Sequence, residues 1–250
     1  MHAVFLMPKK IIQLVTNACM IFLWTFSQNP SKRALIAWDR ICMPTSAGRL
    51  YVINFLWWNK AALCRGQFNI KKTYTLVSPQ YPKVHWKALM MGSNAIPRHN
   101  FILWLTLHQR LTTVDRLVTW GIQVASECVL YNSEKIETMA HLFFECQYSR
   151  TIWSTMLKWM GERHPVGFWE EEVVWLKKRT KNGMPRNSIL AFLFAAVVYH
   201  TWIERNMRRF QGQKTDTKKR IRDVVLQLHI KGQQKAKWKK ILEGVNSFPL

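Results

Sequence analysis

Apolar residues recur at three- and four-residue steps through most of this chain, a spacing that predicts helices. Pro8 can open the first of them, since a helix's first turn does not need its missing N–H. Ile12, Val15, Cys19, Phe22 and Phe26 then form one apolar stripe, which Asn29-Pro30-Ser31 stops. The Ala37–Pro44 segment and a turn at Ala47-Gly48 lead to another apolar stretch, Leu50 to Leu63. After Pro97, a further stripe runs through Phe101, Leu103, Trp104, Leu107 and Leu111. Thr112-x-x-Asp115 fits a capping box, in which the threonine oxygen and the acid satisfy free helix-start N–H groups. Gly121 is placed to end that helix.

The second half repeats the pattern. Ile152, Trp153, Met156, Leu157 and Met160 predict a helix closing at Gly161. Trp169 to Arg179 carries Glu170, Glu171 and Glu172 in its first turn and Lys177, Lys178 and Arg179 in its last, the order a helix dipole favours. Asn182-Gly183-Met184-Pro185 breaks the chain, and a long helix is expected from about Asn187 to Phe210, stopped near Gly212. Ile221, Val224, Val225 and Leu228 make a last stripe, with Gly232 after it. The fold class is therefore mainly α, with helical bundle-like segments around a short irregular or two-stranded Cys/His knuckle at Cys128–Cys146. The apolar runs 11–26 and 189–203 fall short of the ~20 residues a membrane span needs, and no small-residue cleavage site follows the first. Both read as buried helices.

Charge adds a partner class. The 250 residues hold 37 Lys+Arg against 14 Asp+Glu, a net +23. Such a balance favours polyanions, nucleic acid first and anionic membrane surfaces second. Up to position 126 the only acids are Asp39 and Asp115. The densest basic stretch holds Arg205, Arg208, Arg209, Lys214, Lys218, Lys219, Arg220, Arg222, Lys231, Lys235, Lys237, Lys239 and Lys240, opposed only by Asp216 and Asp223. The candidate nucleic-acid contacts are Arg205, Arg208, Arg209, Lys218, Lys219, Arg220, Lys235, Lys237, Lys239 and Lys240. Lysine and arginine that neutralise phosphates release counterions, giving salt-sensitive binding without sequence preference to RNA or DNA. The alternative is a solvated helix face. Trp238 among the lysines offers either a stacking surface or core packing. The five cysteines are odd in number and scattered. Cys19, Cys42 and Cys64 lie among apolar residues as free thiols, so a reducing compartment is expected.

The remaining two cysteines carry the candidate chemistry. Cys128-Val129-Leu130-Tyr131 is followed by His141-Leu142-Phe143-Phe144-Glu145-Cys146. Thiolate and imidazole are the donors Zn²⁺ prefers, and structural sites use four of them. Here Cys128, His141 and Cys146 supply three. A cysteine at position 131 would complete a Cys-x-x-Cys hook, but Tyr131 stands there, a poor ligand because a phenol ionises only near pH ~10. Two readings stay open from the residues: an incomplete zinc site, or stray cysteines beside a core histidine.

A family resemblance bears on that choice. Lys83 to Trp153 resembles the zinc-binding domain at the C-terminal end of plant non-LTR retrotransposon (LINE-type) reverse transcriptases. The matching pieces are Pro97-Arg98-His99, Phe101 to Leu105, Arg110-Leu111-Thr112, Asp115-Arg116-Leu117, Trp120-Gly121, Cys128-Val129-Leu130 and His141 to Cys146. The resemblance implies Cys128, His141 and Cys146 as metal ligands, with Tyr131 departing from the family's fourth. Before it, Pro8-Lys9-Lys10-Ile11-Ile12, Phe22-Leu23-Trp24, Ala37-Trp38-Asp39, Cys42, Pro44 and Trp58-Asn59-Lys60-Ala61 are similar to the region following the polymerase palm. The family's Gly-Gly-Leu-Gly is replaced by Ala47-Gly48-Arg49-Leu50, and the chain is similar to a version with a deletion near 66–72. Trp202-Ile203-Glu204-Arg205-Asn206 resembles the family's Trp-x-Glu-Arg-Asn. The implied organisation is a thumb-like remnant over 1–70, the zinc-binding domain over 71–165 and a basic helical region over 166–250.

No catalytic centre is legible. A two-metal polymerase needs clustered aspartates, and Asp39, Asp115, Asp216 and Asp223 include no adjacent pair. The expectation is a non-catalytic, basic nucleic-acid-binding fragment with zinc as its candidate cofactor. The competing expectations are a decayed fragment or a helical protein-interaction module.

Overall fold

The computed structural model describes residues 6–25, 37–43, 47, 52–62, 70–77, 82–131, 133–245 and 248–249. It divides into two compact units, Met1–Lys87 and Ala88–Leu250. Phe26, the Asn29-Pro30-Ser31 turn, Pro44, Gly48, Cys64 and the first four positions of 66–72 lie outside the described residues.

The first unit holds α1 (Lys9–Thr25), α2 (Trp38–Ile41), α3 (Phe55–Ala62) and α4 (Ile70–Val77). Among the described side chains of the α1 stripe Ile12 is buried and Val15 and Cys19 are half-buried, while Ile11 and Leu14 face solvent, so the expected buried helix over 11–26 is instead a partly exposed one. Asn54 organises the start of α3. Its side-chain oxygen accepts from Leu56 N at 3.0 Å and Trp57 N at 3.2 Å, the cap that the free N–H groups require. Its amide donates to Asp39 Oδ1 at 3.0 Å, and its backbone N–H donates to the Tyr74 hydroxyl at 3.2 Å. The Trp38-Asp39 motif thus anchors α2 to the α3 cap.

In the second unit, short α5 (Lys87–Gly92) contributes Leu89 and Met90 to the interior. α6 (Pro97–Leu107), α8 (Gln147–Trp159), α9 (Trp169–Thr180), α11 (Thr217–Gln233) and α12 (Ala236–Leu242) pack around α10 (Pro185–Gln211). From Ile189 to Trp202 every residue of α10 is buried, and a helix apolar all round belongs at the centre of a core. By length and composition α10 could cross a membrane, but 89% of its apolar window is covered by the protein. Gly212 ends it at φ 64°, as expected. The α8 stripe is wholly buried and stops at Gly161, φ 68°. The expected boundary near 165 falls inside this unit, because α10 packs against α6 and α8 as well as α9 and α11.

Two local expectations are corrected. α7 (Val114–Thr119) follows Thr113, and neither Thr113 nor Thr112 caps it with a side chain. Instead Glu137 accepts from Val114 N through Oε1 at 3.2 Å and from Asp115 N through its backbone carbonyl at 3.3 Å. A distant carboxylate replaces the predicted capping box. Gly232 does not end the last stripe; it lies within α11, where a Cβ would come 2.5 Å from Leu242 Cδ1. Its missing side chain lets α12 lie close.

Candidate metal centre

A two-stranded hairpin and a sharp turn build the centre. β1 (Glu127–Cys128) pairs antiparallel with β2 (Ser133–Ile136), so the knuckle expected to be irregular or two-stranded is two-stranded here, with Cys128 opposite Ser133. The His141–Glu145 segment is a tight turn rather than a regular helix, with Phe144 at φ 80°. A bulky residue in this left-handed region costs on the order of 1–2 kcal/mol, so packing must hold it there. Phe144 is fully buried, with Phe194 5.6 Å and Trp169 6.1 Å away between ring centres. Trp153 joins the cluster 5.5 Å from Phe194 and donates its indole N–H to Glu172 at 2.8 Å. The turn's backbone is fixed as well. Phe144 N donates to Ser149 Oγ at 2.9 Å, and Arg150 Nε donates to the Phe144 carbonyl at 2.8 Å. The two phenylalanines therefore tie the metal-ligand turn to the core.

This backbone brings His141 and Cys146 to the end of β1. The ligand atoms of Cys128, His141 and Cys146 all lie within 4.8 Å of one another, and all three residues are buried. The two Sγ atoms are 3.8 Å apart. Tetrahedral zinc with Zn–S bonds of ~2.3 Å requires sulfurs ~3.8 Å apart, so the spacing fits a shared ion. Neither ring nitrogen of His141 has a hydrogen-bond partner, although both are buried, an arrangement that a bound cation would satisfy. The donor set of two sulfurs and one imidazole suits Zn²⁺.

The sulfur environment prepares one thiolate. The Cys146 hydrogen bond is the main effect lowering the Cys128 pKa; burial opposes it, and N–H bonds from Leu130 and Tyr131 and the charge on His141 add to it. Cys146 is pushed up, first by that same partner and then by burial. N–H groups of Tyr148 and Ser149 aim at Cys146 and favour its ionised form. Backbone donors at both sulfurs are what a dithiolate site needs once an ion replaces the proton. Tyr131 is 52% exposed, and Glu145 is not among the gathered ligand atoms.

The candidate nucleic-acid residues separate into two groups. Arg205, Arg208, Arg209 and Arg220 turn inward. Arg205 is fully buried and forks onto Glu137, itself fully buried, through Nε and Nη2, with the closest contact 2.6 Å; Nη2 also donates to the Thr112 carbonyl and Nη1 to Asn206 Oδ1. Arg209 donates to the carbonyls of Ala125 at 2.8 Å and Glu127 at 2.7 Å. Arg208 donates to the Leu130 carbonyl at 2.8 Å and to Glu204 Oε1 at 2.7 Å, and Arg220 holds the other Glu204 oxygen at 3.0 Å. These side chains clamp the hairpin that carries Cys128. The Glu204-Arg205 pair of the Trp-x-Glu-Arg-Asn segment is structural for the same reason. Lys218, Lys219, Lys237, Lys239 and Lys240 are exposed, and Lys235 is half-buried 4.9 Å over Trp238. Trp238 packs edge-on against Phe192 at 5.7 Å and is buried, so it belongs to the core.

Sequence reasoning missed Glu137, which joins α7, the hairpin and α10 although its side-chain partners lie 23 to 72 residues away. Its only signal was an acid next to the ligand segment in a chain poor in acids. Among curated proteins and among solved structures, nothing matches this chain. Residues 68–153 match the family described as zinc-binding in reverse transcriptase, and the three gathered ligands Cys128, His141 and Cys146 lie within that stretch.

Proposed function

We propose that the protein is a non-catalytic nucleic-acid-binding module of non-LTR reverse-transcriptase origin, stabilised by one zinc ion. The observation that carries this reading is the convergence of Cys128, His141 and Cys146 inside the segment that matches the zinc-binding family. When bound, zinc supplies a cross-link between the two-residue strand β1 and the His141–Cys146 turn. The chain's own residues do the rest. Arg208 and Arg209 hold the hairpin carbonyls, and Phe143 and Phe144 seat the turn in the core.

The nucleic-acid part rests on charge. With the four arginines engaged internally, the exposed lysines of α11 and α12 provide the polyanion surface. Lys237, Lys239 and Lys240 lie within seven residues of α12 and face solvent. Each phosphate neutralised on a single strand adds about 0.7 to the slope of log affinity against log salt. Binding of a labelled single-stranded oligonucleotide is expected to fall steeply as salt rises. Replacing all three lysines by glutamine lowers that slope by about 2. Salt-insensitive binding, or no binding at low salt, refutes the reading.

A further inference from the structure

The knuckle borders an open groove of about 800 Å³ in the second unit, between the hairpin turn, α8 and the start of α11. Its size lies in the range of ligand pockets. The exposed ring of Tyr131 forms one wall, and Phe248, 45% exposed, lines it as well. Lys214, Lys218 and Arg222 line it without a carboxylate partner among the described residues, and Asp216 is the one acid on its walls. The first turn of α11 opens onto the same space, with N–H groups that favour an anion. Tyr148 gives an independent sign of a missing ligand. It lines the groove, is 5% exposed, and its hydroxyl is buried with no hydrogen-bond partner.

We propose that this groove is the binding site for a single nucleic-acid strand. A base stacks on Tyr131, the Tyr148 hydroxyl pairs with a base edge or sugar, and Lys214, Lys218 and Arg222 meet the flanking phosphates. Flat, exposed aromatic rings beside unpaired cations are how sequence-tolerant single-strand sites are built. An apolar peptide would leave the three cations unmatched. The residue that departs from the family's metal-ligand position thereby gains a role as a stacking surface.

This inference rests on the nucleic-acid reading above, and one experiment separates the two. The full-length chain is titrated against a short fluorescein-labelled oligouridine by anisotropy, with folding of each variant checked by thermal melting. Tyr131→Ala is expected to weaken binding about tenfold, while Tyr131→Phe retains it. Lys214→Gln/Lys218→Gln/Arg222→Gln lowers the salt slope by about 2. If the native chain binds but these groove variants leave affinity and slope unchanged, the groove assignment is overturned and the nucleic-acid reading stands. If the native chain does not bind, both fail. Polyglutamate displacing the oligonucleotide as effectively as unlabelled oligouridine overturns the assignment in favour of an acidic peptide.

Discussion

Replacing Glu137 by glutamine removes one negative charge from the most buried ionic contact near the knuckle. Arg205 and Glu137 are both fully buried and meet at 2.6 Å. Arg209 also loses an ionic partner, at 3.2 Å. Breaking one side of such a pair leaves an uncompensated buried charge, at about 3–5 kcal/mol. That is a large share of the 5–15 kcal/mol typical of a domain's stability, roughly a fifth or more. With a urea dependence of about 2 kcal/mol per molar, the unfolding midpoint should drop by roughly 2 M. Tryptophan fluorescence can follow the transition, since Trp153 and Trp169 sit beside the ligand turn. Arg205→Met should cost a similar amount. The double variant Glu137→Gln/Arg205→Met should lose less than the sum, by about 2 kcal/mol or more, because Arg205 is no longer left as a lone buried charge. A single-variant loss below about 1 kcal/mol, or strict additivity, would show that the pair does not hold α10 to the hairpin.

Tyr131→Cys supplies a third sulfur as a fourth ligand and is expected to raise zinc affinity in competition with a chromogenic chelator; unchanged affinity would mean position 131 does not face the ion. Stability should also depend on pH through His99, whose pKa burial lowers to about 3, helped by the charges of His200 and Arg98. His99 is neutral in the folded chain, whereas the unfolded chain takes up a proton below about pH 6.5. Its contribution is therefore complete above that value and is lost as pH falls from 6.5 toward 3, amounting to roughly 3 kcal/mol by pH 4.5. Urea titrations of the native chain and His99→Gln should diverge in slope over this range; parallel curves would contradict the assignment.

Much of the fold is legible in the sequence because helices write a local period. The α8 and α10 stripes, and the Gly161 and Gly212 stops, follow from spacing and from glycine's tolerance of positive φ. The three ligands are legible for another reason: cysteine and histidine are scarce and chemically distinctive. Charge is where sequence reading runs out. Arg205 and Lys239 look alike in a basic run, yet one is fully buried and the other exposed. What decides between them is Glu137, 68 residues from Arg205, and no local pattern encodes that pairing. The same holds for α7, capped by Glu137 rather than by Thr112 and Asp115. Trp238 and Gly232 are likewise fixed by their contacts with Phe192 and Leu242.

The central claim is that Cys128, His141 and Cys146 hold one ion together, and cobalt substitution reads it most directly. Titrating the metal-free chain with Co²⁺ should give saturation at one equivalent, with thiolate charge-transfer absorption and the intense visible bands of a tetrahedral site. Zn²⁺ should displace them. Cys128→Ser and Cys146→Ser should each reduce the charge-transfer band, and His141→Ala should abolish stoichiometric binding. A chain that takes up no cobalt, or one whose spectrum survives His141→Ala unchanged, would contradict the account.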